Sequence, residues 1–237
     1  MGDLTDVKRL LGTQAVDRFV TEGMRLGLGT GSTAIWAARR VAERIAEGTL
    51  RGIRAVTTSL QTELEARSLG IPVLTLNDVG LAGALDLVID GADEVDAERN
   101  LIKGGGGALL MEKIIAYASL RLLIIVDHTK LSRRLCDRFA IPVEIVADAL
   151  APVTARIVEM GGEVSLRLAL RKAGPVVTDL GNLLLDVTFR QAFHPRKMED
   201  ELKLIPGVLE NGLFTKKKPE LLVGNADGSL DYRARES

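Results

Sequence analysis

Apolar and polar positions alternate with periods that change along the chain, and each change marks an element. Leu4, Val7, Leu11, Ala15 and Phe19 recur at three and four residues, one stripe of a helix predicted over residues 5–20. Residues 24–28 then read as a strand, 34–45 as a helix and 54–57 as a strand. A helix over 60–69, capped near Thr58 or Ser59, leads to a further strand over 72–76. Leu85-Asp86-Leu87-Val88-Ile89 and Leu122-Leu123-Ile124-Ile125-Val126 are short, partly β-branched apolar runs ended by turn signals. That is the pattern of strands covered on both faces of a parallel sheet. A helix over 108–118 is expected between them.

The texture changes near Cys136. Residues 142–146 read as a strand, 150–160 as a helix closed by Gly161-Gly162, and 164–170 as a strand. A hairpin-like pair, 176–178 and 183–187, flanks Asp179-Leu180-Gly181-Asn182. A helix over 195–204 and an apolar stretch at Val208 complete a pattern like the split βαβ module. Glu220-Leu221-Leu222-Val223-Gly224 reads as a strand returning to the first domain. The expected class is α/β: a parallel-sheet domain over 1–135 and 215–237, with a smaller α+β domain over 136–214.

Composition narrows the function. With 237 residues the chain can bury a sizeable core, as one large domain or two unequal ones. A net charge of -1 gives no reason to expect nucleic acid or an anionic membrane as partner. The run Lys216-Lys217-Lys218 reads as a solvated turn. One cysteine, Cys136, and two histidines, His128 and His194, make neither an internal disulfide nor a metal-ligand cluster. This favours a reducing, cytoplasmic setting and metal-free chemistry. The opening Met1-Gly2-Asp3-Leu4-Thr5-Asp6 is acidic and unlike a signal peptide, and no apolar run reaches the roughly 18 residues of a membrane span.

Three stretches carry chemistry. Gly29-Thr30-Gly31-Ser32-Thr33 lies between a predicted strand and a predicted helix, where backbone N–H groups and the helix N-terminus suit a phosphate. Ser32 or Thr33 can cap that helix or bond the anion. Ser32 stands where a dinucleotide fingerprint needs glycine, and the lysine of a P-loop is absent. Asp90-Gly91-Ala92-Asp93-Glu94 follows the apolar run at the carboxyl edge of the sheet, where open α/β folds bind ligands. Lys103-Gly104-Gly105-Gly106-Gly107 then lets the backbone approach a ligand with its N–H groups, and leads to Glu112 in the next helix. The plain alternative is a flexible acidic surface loop with a solvated helix glutamate. Asp127-His128-Thr129-Lys130 closes another strand, with Lys130 a second candidate phosphate contact and His128 a loop residue. Lys8 lies off the apolar stripe and reads as a solvated helix lysine.

Taken together, Gly29-Thr30-Gly31-Ser32-Thr33, Asp90-Gly91-Ala92-Asp93-Glu94, Lys103-Gly104-Gly105-Gly106 and Glu112-Lys113-Ile114-Ile115 resemble ribose-5-phosphate isomerase of type A. The resemblance extends through Pro142-Val143-Glu144, Val177-Thr178-Asp179 and Ile205-Pro206-Gly207-Val208, over nearly the whole chain. Gly107, where alanine is frequent, and His128-Thr129, where small residues are usual, depart from the pattern. The resemblance implies a Rossmann-like catalytic domain with a ferredoxin-like lid, and a homodimer or homotetramer. It implies a sugar phosphate bound by Thr30, Gly31, Ser32, Thr33, Asp90, Gly91, Ala92, Asp93, Lys103, Gly104, Gly105 and Gly106, with Lys130 and Lys8 adding to the set. Glu112 is then the proton acceptor. Interconversion of ribose 5-phosphate and ribulose 5-phosphate passes through an enediolate, for which Lys103 and the glycine N–H groups suit the oxyanion. Asp90 or Asp93 would open the sugar ring and relay hydroxyl protons. No nicotinamide, metal or pyridoxal is required. A sugar-phosphate-sensing module would bind the same ligand without needing Glu112, and a coenzyme A transferase relative would use a carboxylate as nucleophile.

Overall fold

A computed structural model describes residues 4–234; Met1, Gly2 and Asp3 of the acidic opening lie outside the described residues. The chain runs through α1 (Leu4–Phe19), β1 (Arg25–Leu28), α2 (Ala34–Ala46), β2 (Arg54–Thr57), α3 (Leu60–Ser68) and β3 (Leu85–Asp90). It continues with β4 (Glu94–Val95), β5 (Leu101–Ile102), α4 (Leu109–Tyr117), β6 (Ser119–Asp127), β7 (Ile141–Ile145), α5 (Leu150–Glu159) and β8 (Gly162–Leu166). Last come β9 (Leu183–Phe189), α6 (Pro195–Lys203), β10 (Val208–Asn211), β11 (Leu213–Phe214), β12 (Glu220–Gly224) and β13 (Leu230–Arg233). Two compact units result. One holds the residues up to Ala92, Met111–Lys130 and those from Lys217 on; the other holds Asp93–Leu110 and Leu131–Lys216.

The first unit is built on a six-stranded sheet in the order β13-β12-β6-β3-β1-β2, parallel except for β13. β3 over residues 87–89 and β6 over residues 122–126 are continuously apolar and buried because both faces are covered there. Leu26, Leu28, Leu87, Ile89, Leu123 and Ile125 pack with Val7, Leu11 and Ala15 of α1 and Ala38 and Val41 of α2. Leu4 of the expected stripe stays exposed at the first turn of α1. The chain leaves β1 toward β2 on one side and returns as β3 on the other, so the topological switch lies between the carboxyl ends of β1 and β3. Those ends are Leu28 and Asp90.

The expected strand over 72–76 is not formed; only Val73 bridges to Ala55. Pro72 has no N–H to offer a ladder, and Thr75 is drawn into a turn, its N–H donating to Asp78 Oδ2 at 2.6 Å.

The second unit contains a four-stranded antiparallel sheet in the order β10-β7-β9-β8. With α5 and α6 between its strands in the chain, this is the ferredoxin-like split βαβ arrangement. Ile141, Val143, Ile145, Leu185 and Val187 meet Val153, Ile157, Met198 and Leu202 in its core. A separate three-stranded sheet, β11-β5-β4, carries strands of two residues each. The expected hairpin partner at 176–178 makes a single bridge, Val177 to Leu183, and β9 pairs instead with β7 and β8. Thr178 is committed elsewhere: its hydroxyl donates to the buried Glu144 carboxylate at 2.8 Å and accepts from Asn182 N–H. The run at 216–218 is not simply solvated either, since Lys216 pairs with Asp200 and Lys217 Nζ donates to the Ser119 carbonyl.

Candidate active site

In the first unit the turn after β1 is tied to the end of β3. Gly29 N–H donates to the Ile89 carbonyl at 2.9 Å, and Thr30 N–H to Asp90 Oδ1 at 3.1 Å. Asp90 is fully buried and its Oδ1 also accepts from Gly91 N–H at 2.8 Å. α2 starts at Ala34, with Thr33 as its N-cap residue; the Thr33 side chain makes no capping hydrogen bond. In the first turn of α2, Ile35 N–H donates to the Gly31 carbonyl at 3.1 Å and Trp36 N–H to the Thr33 carbonyl at 3.2 Å, so the loop of Gly31, Ser32 and Thr33 is closed onto the helix start by its own carbonyls. Lys8 reaches the same loop from α1, its Nζ donating to Ser32 Oγ at 3.0 Å. Its reading as a purely solvated lysine gives way to a side chain tied to the loop after β1.

Four hydroxyls behind this loop were not singled out together by sequence reasoning. Thr30 Oγ1 lies 2.7 Å from both Thr58 Oγ1 and Ser59 Oγ, Ser59 Oγ 3.1 Å from Thr62 Oγ1, and Thr62 Oγ1 donates to the Gly29 carbonyl at 3.1 Å. One assignment of protons satisfies the series: Thr58 donates to Thr30, Thr30 to Ser59, Ser59 to Thr62 and Thr62 to Gly29. Thr30 thus spends its proton inward, bracing the loop. Ser59 is also the N-cap of α3, accepting from Thr62 N–H at 3.2 Å. The available signal was the run Thr57-Thr58-Ser59 with Thr62 at the carboxyl end of β2, the strand beside β1.

Glu112 stands in the first turn of α4 and is only 5% exposed, which removes its reading as a solvated helix glutamate. Lys130 ends a short 3-10 turn, His128–Lys130, directly after β6. Asp127 fixes that turn by accepting from Thr129 N–H at 3.0 Å and from its hydroxyl, while His128 is exposed.

Within the second unit lie Asp93, Lys103 and the glycine run. Asp93 Oδ2 accepts from Gly105 N–H at 2.7 Å. Gly104 has φ +100°, and a Cβ there would meet Leu109 Cβ at 2.6 Å, so both conformation and space require glycine. Lys103 is 2% exposed, its N–H donating to the Gly212 carbonyl and its Nζ lying 5.7 Å from the centre of the Phe214 ring. A buried ammonium is costly unless compensated, so its place in the core is a built feature. Glu94, the last acid of the triplet, is structural: its carboxylate accepts from Cys136 N–H at 2.7 Å and Arg138 N–H at 3.0 Å. Burial pushes the Cys136 thiol above its ordinary range. Among the described residues no group of three or more His, Cys, Asp or Glu side chains is arranged to hold a metal ion, and no helix is long and apolar enough to cross a membrane.

Residues 54–228 match the family model of ribose 5-phosphate isomerase A (phosphoriboisomerase A). The chain is 44% identical to ribose-5-phosphate isomerase A of Treponema denticola, over 97% of this chain and 99% of that protein. It is 47% identical to the Synechococcus sp. (strain WH7803) protein of the same name, over 97% and 96%. Among solved structures, ribose 5-phosphate isomerase A from Methanocaldococcus jannaschii superposes with a TM-score of 0.90 at 39% identity, covering 97% of this chain and 99% of that one. A D-ribose-5-phosphate isomerase in complex with phospho-erythronic acid gives 0.93 at 36% identity, covering 99% and 100%. With a matching family model over more than half its length and such relatives over nearly all of it, the chain belongs to the ribose 5-phosphate isomerase A family.

Proposed function

We propose that this chain is the aldose–ketose isomerase that interconverts D-ribose 5-phosphate and D-ribulose 5-phosphate through an enediolate, in the non-oxidative pentose phosphate pathway. The observation that carries the mechanism is Glu112, a carboxylate withdrawn from solvent in the first turn of α4, in a chain of this family. Glu112 takes the proton from C2 of the open-chain aldose. The C2 electron pair forms the C1–C2 double bond, and the carbonyl electrons pass to O1. The Lys103 ammonium and the glycine-loop N–H groups stabilise that oxyanion, where a preorganised donor is worth about 3–4 kcal/mol. Asp90 or Asp93 opens the furanose and relays the hydroxyl proton between O2 and O1, and Glu112 returns its proton to C1. A positioned base of this kind supplies about 10²–10⁴-fold. The phosphate is held by Gly31, Ser32 and Thr33 with Lys8 and Lys130, and Thr30 and Asp90 keep that loop in shape.

The single cysteine and the net charge of -1 support a cytoplasmic enzyme that takes a small sugar phosphate rather than nucleic acid or membrane. A homodimer or homotetramer is supported by the exposed Leu168, Leu170, Val177 and Leu180, and light scattering tests it. Turnover assays with ribose 5-phosphate, allose 6-phosphate and glucosamine 6-phosphate test reaction and substrate class together. Rapid conversion of the first alone is expected. Binding of ribose 5-phosphate without turnover would instead support a sensing module, and a thioester trapped on Glu112 a coenzyme A transferase.

A further inference from the structure

Arg167 follows directly on β8, and its guanidinium serves two partners. Nε and Nη2 fork onto the two oxygens of Asp186 in β9, the Nε contact at 2.9 Å, while Nη1 donates to the carbonyls of Gly104 and Gly105, each at 3.1 Å. The two side chains are 16% and 26% exposed. The peptide joining Gly104 to Gly105 is therefore fixed at both ends, its carbonyl on Arg167 and its N–H on Asp93. The Gly104 carbonyl also accepts from Gly107 N–H at 2.9 Å, which closes the turn. The next peptide unit carries the Gly105 carbonyl and the Gly106 N–H. The described peptide bonds include no cis bond, and in a planar trans unit C=O and N–H point in opposite directions. Holding the Gly105 carbonyl on Arg167 thus aims the Gly106 N–H away from the guanidinium. The positive charge on that carbonyl also polarises the amide and strengthens its N–H as a donor.

We propose that Arg167, braced by Asp186, is a positioning residue for the isomerisation: it sets the peptide planes of the glycine loop and presents the Gly106 N–H as an oxyanion donor. The proposal rests on the reading of that loop as the oxyanion site. Gly105 N–H is spent on Asp93, so Gly106 supplies the donor. Arginine is needed because one planar fork must bind a carboxylate edge-on and still direct a third N–H at two carbonyls, which a lysine ammonium does not reproduce.

The test uses the full chain with Arg167→Met, Arg167→Lys and Asp186→Asn. Readouts are kcat and KM for ribose 5-phosphate, inhibition by phospho-erythronic acid, whose carboxylate stands in for the enediolate oxygens, inhibition by inorganic phosphate, and the Gly106 amide proton resonance. For Arg167→Met we expect kcat to fall about 10²-fold, the scale of losing one oxyanion donor, with KM changed less than about threefold. Inhibition by phospho-erythronic acid should weaken about tenfold or more, phosphate inhibition should stay unchanged, and the Gly106 amide proton should move upfield. Arg167→Lys should recover only a minor part. If Arg167→Met does not fold, Asp186→Asn, which keeps shape and loses charge, should show the same split at about tenfold. A folded Arg167→Met with wild-type kcat, or one losing phosphate affinity in step with kcat, overturns the proposal. Should the wild type bind phospho-erythronic acid no better than inorganic phosphate, the oxyanion reading of the loop fails, while an unmoved Gly106 resonance in Arg167→Met refutes the clamp itself.

Discussion

A Cβ on Gly29 would stand 2.1 Å from Oδ1 of Asp90, the same oxygen that accepts the Thr30 N–H. The turn after β1 and the buried aspartate are therefore built as one piece, and no side chain fits between them. Gly29→Ala should displace Asp90 and the loop together, at an overpacking cost of about 1–3 kcal/mol. Urea unfolding should show that loss. Isomerase activity should fall at least about tenfold in kcat/KM, because an ångström of misplacement at a site is felt strongly. Wild-type kinetics in this variant would separate Asp90 from the chemistry.

The hydroxyl series ending on the Gly29 carbonyl predicts a different signature. Thr62 is 1% exposed, and Thr62→Val keeps its shape but leaves a buried carbonyl without its donor. Stability should drop by about 1–3 kcal/mol. KM for ribose 5-phosphate should rise several-fold with kcat nearly constant, because under the proposed function the loop would bind phosphate alike in ground and transition states. Thr62→Ser should restore both.

Lys8 on Ser32 and Lys130 after β6 carry charge to the phosphate under the proposed function. Alanine at either position should mainly raise KM and weaken competitive inhibition by inorganic phosphate. Added salt should shrink the difference between wild type and Lys8→Ala, since exposed charges are screened over about 8–10 Å at physiological ionic strength. A kcat effect with unchanged KM would contradict this placement.

Arg25 and Asp86 supply a pH test of the fold. Hydrogen bonds from the Arg25 side chain, opposed by some burial, hold the Asp86 carboxyl below its ordinary range. The native pKa is depressed, so the stabilisation is fully present above the unfolded value near about 4 and is lost as pH falls through the lower folded value. Asp86→Asn should lower the thermal midpoint by about 2–4 °C at pH 7. The gap to wild type should persist down to about pH 5 and close below about pH 4. A gap that widens in acid would reverse the sign of the linkage.

The parallel sheet was legible because β3 and β6 are apolar on both faces, a pattern that only full burial explains. The candidate site was readable only as contiguous motifs at strand ends, as with Gly29 to Thr33 and Asp90 to Asp93. Pairings across long separations were not. Arg167 looked like one more residue of a strand over 164–170, yet β8 stops at Leu166 and the side chain turns to Asp186 and the glycine carbonyls 62 and 63 residues away. β4, β5 and β11 span two residues each, too short for any period to register, and they form only because their partners are brought alongside. Thr58 and Ser59 carried a capping signal that was real for Ser59 and hid their joint role with Thr62 behind Thr30.

Under the proposed function Glu112, 5% exposed in the first turn of α4, is the base that moves the proton between C2 and C1. The most direct measurement follows ribose 5-phosphate deuterated at C2, turned over in ordinary water by the wild type and by Glu112→Gln. Glutamine keeps size and hydrogen bonding but has no basic oxygen. Partial washout of the label is expected in the wild type, because a carboxylic acid shared with water can return a different proton to C1. In Glu112→Gln the washout should disappear and kcat should fall at least about 10²-fold with KM little changed. Near-normal turnover by the variant, or complete transfer of label from C2 to C1 without washout, would contradict a Glu112-mediated enediolate.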